Sequence, residues 1–386
     1  MTDAAAVGTT AGSKENGDGV RARNLARVLR LVHLGGPQSR SQLTAATGLN
    51  RSTIADLVAE LVTEGWVVER GPDPAGRVGR PSPVVEASPG TVVIAVNPEV
   101  DAVEIAAVDL ARTIAVRERI ETPSVLDAAA VAALAADVLA RWRTGALADA
   151  RVVAIGVAVP GLVRAADGLV RNAPHLGWTD APVGALLTDA SGLPVAVGND
   201  ASLGALAEHL FGAADGADDV VYLNGGPSGI GGGIIVHGAP VGGVGGYAGE
   251  FGQNRVGAGS AVLEDEVSRA RLLDVLGLAS ADDATLAEAL AAASDEEAVR
   301  RETERQRALL AQAIADAVNI LNPSVVVLGG FLAQLEELDR DGFAQEVTDA
   351  AMTENAEDLR ILPASLAADR LLLGAAELAF TSVGVI

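Results

Sequence analysis

Near the start of the chain, a polar segment gives way to helical periodicity. Residues 1–20 carry few large apolar side chains and many small or polar ones, a composition that predicts a disordered leader. From Arg21 onward, apolar residues recur at helical spacing and define one inward face: Leu25, Val28, Leu29 and Val32. We expect this first helix to end at Gly35-Gly36-Pro37.

Two shorter helices are predicted next. The second helix opens at Ser39, directs Leu43 and Ala46 inward and ends at Gly48. Asn50 is a suitable N-cap for the third helix, because its side chain can accept a hydrogen bond from a backbone N–H of the first turn. The inward positions of the third helix follow helical spacing: Ile54, Leu57, Val58, Leu61 and Val62.

Two short apolar runs after Gly65, WVVERG and PVVEAS, flank the Gly- and Pro-rich tip PDPAGRVGRPS. They indicate two strands around a wing. Three helices and a wing predict a winged helix-turn-helix over residues 21–88, which would lay a helix in a groove of double-stranded DNA. The expected DNA contacts lie at helix starts and on the wing: Arg40, Arg51, Ser52, Thr53, Arg77 and Arg80. A three-helix domain used for dimer contacts is the alternative.

From Thr91 the pattern changes to short Val- and Ile-rich runs separated by Ala-rich helices. Strands are predicted at 92–96, 103–110, 152–161 and 325–330 and in VAVGND, VVYLNGG and GIIVHG, with a helix at about 126–143. This alternation predicts two α/β lobes over residues 89–386 with a cleft between them. An acidic helix from about 295 to 321 is expected to cross between the lobes.

The charge distribution divides the chain in the same place. The net charge of the 386 residues is −23, yet the segment from Arg21 to Ser82 holds nine arginines and five acids. Because DNA is a polyanion, a basic head on an acidic body would approach DNA head first. The alternative is that the acidic body serves only to keep the protein in solution.

Composition excludes several classes of protein. No apolar run reaches the length of a membrane helix, and the polar start lacks the apolar core of a signal peptide, so we expect a cytoplasmic protein without a membrane partner. The chain has no Cys, which excludes disulfides, thiolate catalysis and any Cys-ligated zinc site.

Six motifs, in this order along the chain, resemble the ROK family of bacterial sugar kinases and sugar-responsive repressors: VAVPGLV at 157–163, APHLGW at 173–178, NDAS at 199–202, SGIGGGIIVHG at 228–238, YAGEFGQ at 247–253 and NPSVVVLGG at 322–330. The repressors of this family carry an N-terminal winged helix. The resemblance implies a two-lobed, actin-like ATPase and sugar-kinase fold after the winged helix-turn-helix.

The resemblance also implies a sugar site. In the family's kinases, the Asp that corresponds to Asp200 acts as base toward a sugar hydroxyl. Glu250 and Glu264 align with carboxylates that hold sugar hydroxyls, and Asn199 would complete the set of contacts together with the backbone around Gly161. Two alternatives stay open: Asp200 only caps the following helix, and Glu264 is an ordinary solvated helix acid.

Three departures from the family pattern favour a regulator over a kinase. Asn97, Pro98 and Glu99 stand where the first phosphate loop would have glycines and a metal-orienting Asp, and Glu99 adds negative charge. The second loop survives in Gly229, Gly231 and Gly232, although it can equally serve as a tight strand-turn packing element. Gln253 replaces the family's zinc-binding His and offers an amide to a ligand, and His175 replaces a common Asn.

We therefore expect a sugar-responsive transcriptional regulator, a repressor, that needs no cofactor and no metal. Two copies of the winged helix would recognise a palindromic operator, so a homodimer or a higher homo-oligomer is expected. The alternative is an ATP-dependent ROK sugar kinase with a fused DNA-binding domain. A third possibility is a scaffold without a functional ligand site. The sequence leaves open the identity of the effector and the sign of its effect on DNA binding.

Overall fold

The computed structural model describes residues 12–71, 82–257 and 260–386. Its first part, which we call the N-terminal module, contains three helices and three short strands: α1 Gly12–Gly35, β1 Gln38–Ser39, α2 Arg40–Thr47, α3 Arg51–Thr63, β2 Val67–Arg70 and β3 Val84–Ala87. The strands form an antiparallel sheet in the order β1-β3-β2. Asn50 caps α3, as predicted, by accepting a hydrogen bond of 2.8 Å from the Thr53 N–H.

Three details of the module correct the sequence prediction. Helix α1 begins at Gly12, so the predicted leader 1–20 is wrong for residues 12–20, because extending an existing helix costs little where no proline intervenes. Ala46 is exposed and Thr47 takes the inward position of α2. Val62 is 40% exposed, because its position on α3 lies at the edge of the apolar face.

The first lobe is built on a five-stranded sheet. Its elements are β4 Thr91–Pro98, β5 Ala102–Asp109, β6 Ile114–Glu121, α4 Ala128–Arg143, β7 Arg151–Val159, β8 Leu162–Val163, β9 Val170–Ala173, β10 Trp178–Ala181, α5 Val183–Ser191, β11 Val195–Asn199 and α6 Asp200–Phe211. The main sheet has the order β11-β7-β4-β5-β6, and β8 to β10 form a small antiparallel sheet beside it.

The second lobe has a sheet of the same size. Its elements are β12 Val220–Gly226, β13 Gly229–Val236, β14 Ala239–Pro240, α7 Leu263–Glu266, α8 Arg269–Val275, α9 Asp283–Ala292, α10 Glu297–Leu321, β15 Val325–Gly330, α11 Phe331–Glu337, α12 Arg340–Ala350, α13 Thr353–Ala356 and β16 Arg360–Pro363. The sheet order is β14-β13-β12-β15-β16. The last helix, α14 Arg370–Ser382, returns to the first lobe and packs on β4 and β7.

The helices between the lobes differ from the predicted one. Helix α10, expected to cross between the lobes, packs against α8 and α12, and its buried face belongs to the core of the second lobe. The position between the lobes is taken by α6 and α14, which pack against each other. Helix α6 also contacts β12 and β13 of the second lobe. The prediction of a crossing helix at 295–321 is therefore wrong.

The N-terminal module is joined to the first lobe by packing. Val28 and Leu57 of the module share one apolar cluster with Ala106, Leu372 and Phe380 of the first lobe. Beside this cluster, the Arg151 guanidinium lies 4.6 Å from the centre of the Trp66 ring. A shared core of this kind holds the module at a defined position on the lobe.

Candidate functional site

A cavity of about 440 Å³ lies between the two lobes. It is bounded by the loop after β7, the start of α6, the turn between β12 and β13, and the segments around Glu250 and Glu264. All six residues that the sequence predicts as ligand contacts line it: His175, Asn199, Asp200, Glu250, Gln253 and Glu264. The fold thus brings together residues from distant parts of the chain.

Asn199 and Asp200 stand where β11 meets α6. The Asn199 side chain caps α6 by accepting a hydrogen bond of 2.8 Å from the Ser202 N–H, and its amide donates to the Gly161 carbonyl at 3.0 Å. Asp200 is the first helical residue, and its Oδ1 accepts from the Ala201 N–H at 2.8 Å. The cap is therefore Asn199, which contradicts the alternative that Asp200 serves only as the cap.

The Asp200 carboxylate lies in a poorly hydrated position. Removal from water raises the pKa of Asp200 to about 6, and the negative charge of Glu250 acts in the same direction. The Ala201 N–H and the positive charge of Arg370 oppose this shift of the pKa. A carboxylate with a pKa near neutrality is suited to accept a proton or a strong hydrogen bond from a sugar hydroxyl.

Glu264 is fixed against the strand that faces α6. Its Oε1 accepts from the Gln253 amide at 2.5 Å, and its Oε2 accepts from the Ile230 N–H at 3.2 Å. These bonds contradict the alternative of an ordinary solvated helix acid. Partial burial and the nearby charge of Glu264 raise the pKa of Glu250. The cavity therefore presents three carboxylates and the side-chain amides of Asn199 and Gln253, groups that hold hydroxyls.

His175 stands at the junction of two cavities. It is exposed on the 3₁₀ turn Pro174–Leu176, and it lines both the main cavity and a smaller one of about 220 Å³ beside Arg269 and Phe331. The Arg269 guanidinium is already bound to Asp283 at 2.5 Å. His175 is therefore placed to contact a ligand in either cavity.

The position expected for the first phosphate loop is a tight hairpin. Strands β4 and β5 are joined there, and the Glu99 N–H donates to the Ala102 carbonyl at 2.8 Å. The Glu99 carboxylate accepts from the Asn97 amide at 2.9 Å and from Arg119 at 2.5 Å. A fixed carboxylate stands here in place of backbone amides open to phosphate.

Residues 229–233, predicted as the second loop, form the start of strand β13. A Cβ on Gly231 would lie 2.7 Å from the Ala201 Cβ, and one on Gly232 would lie 2.4 Å from the Phe251 ring. Gly229 has a φ of +126°, and a Cβ there would lie 2.4 Å from the Glu264 carboxylate. The glycines are needed to bring α6 and Glu264 against this strand, whether or not a nucleotide binds.

The candidate nucleic-acid face lies at the start of α3. Arg51 and Ser52 are exposed there, whereas Thr53 is half-buried and donates its N–H to the Asn50 side chain. In the described part of the chain, Arg51 has no ion-pair partner. Arg40 is bound through two nitrogens to Glu69, at 2.5 and 2.6 Å. Arg77 and Arg80 lie outside the described residues.

Asn172 is a lining residue that the sequence did not reveal. It lies on β9, beside the cavity. A Cβ on Gly161 would lie 2.4 Å from the Asn172 carbonyl, so the two segments meet at van der Waals distance. An isolated Asn carries no pattern in the sequence. Only the glycine at 161 hints at such an approach.

The described residues hold neither a cluster of metal-binding side chains nor a helix that could cross a membrane. Within 12–71, 82–257 and 260–386, no three His, Asp or Glu side chains are grouped as metal ligands. Over the same part of the chain, every helix is too short or too polar to cross a membrane.

Two five-stranded α/β lobes with a carboxylate-lined cavity between them define a protein of the sugar-kinase-like class. The chain belongs to the ROK family, whose sequence profile matches residues 93–382. Over 359 residues it is 26% identical to a xylose repressor of Caldicellulosiruptor bescii. This match covers 87% of this chain and 90% of the repressor. These findings confirm the resemblance drawn from the six motifs.

Two solved structures of the same fold match this chain over different lengths. A ROK-family transcriptional regulator, described as a homologue of the E. coli MLC protein, matches with a TM-score of 0.78 and 23% identity over 95% of this chain and 98% of its own. A ROK glucokinase from Streptomyces griseus, solved with glucose and AMPPNP, matches with a TM-score of 0.59 and 24% identity over 75% of this chain and 99% of its own. The prediction of a ROK-type transcriptional regulator is confirmed, and the kinase is similar over a smaller part of the chain.

Proposed function

We propose that this protein is a sugar-responsive transcriptional repressor that acts in the cytoplasm as a homodimer. One observation carries the proposal: the chain joins a module with exposed Arg51 at a helix start to a ROK cavity lined by Asp200, Glu250 and Glu264. The C. bescii relative that matches over most of both chains is named a xylose repressor.

The DNA-binding part is residues 21–88, as a winged helix-turn-helix. Helix α3 follows α2 after a short turn at Gly48, and the antiparallel pair β2 and β3 supplies the base of the wing. In this geometry, Arg51 and Ser52 at the start of α3 face base edges and phosphates. Two modules in a dimer read the two half-sites of an operator, which gives both affinity and spacing.

The effector part is residues 89–386. A sugar offers several hydroxyls, and each carboxylate of the cavity accepts two hydrogen bonds, so a neutral polyol fits the site. If the sugar prefers one arrangement of the lobes and DNA prefers another, each ligand weakens the binding of the other by the same factor. We expect sugar to release DNA, and the opposite sign would make the sugar a co-repressor.

Replacing Glu250 by Gln tests the assignment. The amide keeps the size of the side chain but removes a charged acceptor, so sugar binding measured by calorimetry with D-xylose and D-glucose should weaken by about tenfold or more. Operator affinity without sugar should stay unchanged, because Glu250 lies in the effector part and not in the DNA-binding part. Unchanged binding of the sugar that the wild-type protein takes would contradict the assigned site.

A kinase that also binds DNA is the second candidate. Asp200, with its pKa of about 6, is the observation that favours it. Glu99 and its partner Arg119 argue against it, because they fill the place of the first phosphate loop. An ATP-coupled assay over pentoses, hexoses and amino sugars separates the two. Turnover that Asp200→Asn abolishes would make the kinase the better description.

A further inference from the structure

The contact between the N-terminal module and the first lobe contains a buried histidine. His33 of α1 is 2% exposed. Its Nδ1 lies 2.6 Å from the Leu110 carbonyl oxygen, and its Nε2 lies 2.8 Å from the Glu377 carboxylate of α14. The carbonyl can only accept, so Nδ1 carries a proton and donates it. This single side chain therefore connects the module to the end of β5 and to α14 of the first lobe.

Helix α6 reaches the same histidine. Phe211, the last residue of α6, packs edge-to-face on the His33 ring with the ring centres 5.5 Å apart. The Arg112 guanidinium lies 4.8 Å from the centre of the Phe211 ring and donates to the His33 carbonyl at 2.7 Å. Both helices that lie between the lobes thus contact one residue of the module, α6 through its last residue and α14 through Glu377.

Helix α6 begins at the cavity. Asp200 is the first residue of α6, and the 12 residues of α6 span about 18 Å at 1.5 Å per residue. Arg370 is the first residue of α14, and its positive charge acts on the Asp200 carboxylate. Helix α6 therefore leads from the proposed sugar site to His33. Helix α14 crosses α6 with Gly374 against Leu203, and its Glu377 reaches His33.

Helices α6 and α14 pack closely against each other. A Cβ on Gly374 would lie 2.3 Å from the Leu203 carbonyl oxygen, so α14 and α6 meet backbone to backbone at this point. A Cβ on Gly156 would lie 1.9 Å from the Ala375 carbonyl oxygen, so α14 lies equally close to β7. Because backbone meets backbone at these points, the two helices move together.

We propose that Phe211, Glu377 and His33 are positioning residues that transmit sugar occupancy from Asp200 to the orientation of the DNA-binding module. This inference rests on the proposed function and names the route by which its two ligands are coupled. A sugar bound at Asp200 shifts the N-terminal end of α6, and the α6–α14 pair carries that shift to the His33 ring. Helix α1 moves with His33, and α3 changes its position because it packs on α1.

The test measures coupling separately from binding. Operator affinity is measured for the full chain by fluorescence anisotropy, with and without a saturating sugar chosen from a panel that includes D-xylose and D-glucose. The variants are Phe211→Leu, which keeps an apolar side chain, and Glu377→Gln, which keeps a hydrogen-bonding partner for His33. Phe343→Leu is the control for loss of a packed aromatic ring, because Phe343 is fully buried, whereas Phe211 is half-buried, and it lies in the core of the second lobe. Thermal melting verifies that each variant folds.

The expected result is a loss of coupling without a loss of binding. In Phe211→Leu and Glu377→Gln, the ratio of the two operator affinities should fall from its wild-type value to within about twofold of one. Operator affinity without sugar, and sugar affinity by calorimetry, should each stay within about twofold of wild type. Phe343→Leu should keep the wild-type ratio.

Three other results overturn the proposal in different ways. If wild type responds to a sugar and both variants respond equally, the route through His33 is wrong while the regulator stands. If the wild-type protein binds its operator but no sugar of the panel changes that binding, the proposed function fails first and the route fails with it. A fall in the ratio that Phe343→Leu shares would show a general loss of packing and also overturn the route.

Discussion

At the scale of single residues, Asp200 is placed at a cost to stability. Its pKa is raised from 3.8 to about 6 in the folded protein, so ionisation of Asp200 above pH 6 destabilises the folded state relative to the unfolded chain. The stabilising effect of its protonated form is present at low pH and is lost as pH rises from about 4 to about 6. A group held in this way is typical of a ligand site rather than of a structural contact.

Asp200→Asn is therefore expected to stabilise the protein without sugar. At pH 7 the gain in the free energy of unfolding should be up to about 3 kcal/mol, the value of the pKa shift, and at about pH 3, below both pKa values, it should nearly vanish. Urea unfolding at both pH values measures it. The exposed Asp358→Asn serves as control and should change neither value. Equal midpoints for Asp200→Asn and wild type at pH 7 would contradict the burial of this charge.

The motif NDAS identified Asn199 and Asp200 from the sequence, because the family resemblance carried these positions. The charge that moderates Asp200 comes from Arg370, far away in the sequence. Asn172 was missed for a similar reason, since it reaches the cavity only because Gly161 lets two segments meet. Contacts set by tertiary packing leave no local pattern.

At the scale of elements, strand β13 depends on its glycines to lie against α6. Gly233→Ala would put a Cβ 2.4 Å from the Ala205 Cβ, so the helix must move outward. We expect a loss of about 1–3 kcal/mol in the free energy of unfolding by urea, typical of overpacking, and weaker sugar binding. Gly226→Ala, on the neighbouring strand with no atom closer than 3.9 Å, is the matched control. Similar stability for the two variants would contradict this packing.

The arginines of the N-terminal module are predicted to differ in their effect on DNA. Arg51→Ala should weaken operator binding by about tenfold or more, because its exposed charge at the start of α3 is free for phosphate or a base edge. Arg40→Ala should weaken it less, because Glu69 already neutralises Arg40 in the unbound protein. Anisotropy titrations at one salt concentration compare them. A larger loss for Arg40→Ala would contradict this order.

Hydrophobic periodicity predicted the cores of the helices of the N-terminal module and of the main strands of the two lobes. Strands β4, β5 and β7 lie within two residues of the predicted bounds, and Ile54, Leu57, Val58 and Leu61 are buried on α3. Strand β6 was missed although its residues alternate between half-buried and exposed, because charged side chains interrupt the apolar positions. The role of α14 was not predictable, since periodicity shows that a helix has a buried face but not which lobe covers it.

At the scale of the whole molecule, the N-terminal module and the cavity between the lobes are connected by packed elements of the first lobe. The module shares its core with the first lobe, and α6 leads from the cavity to that core. Sequence alone indicated the two sites and the family. The joint between them could not be predicted, because it depends on His33, Phe211 and Glu377 meeting from three separate helices.

The most direct test is fluorescence anisotropy of the wild-type protein on DNA from upstream of its own gene. The titration is run at fixed salt, because phosphate contacts make affinity depend on ionic strength. Each sugar of a panel that includes D-xylose and D-glucose is then added. The account predicts specific binding that one sugar weakens by about fivefold or more. Specific binding that every sugar leaves unchanged, or binding without sequence preference, would contradict it.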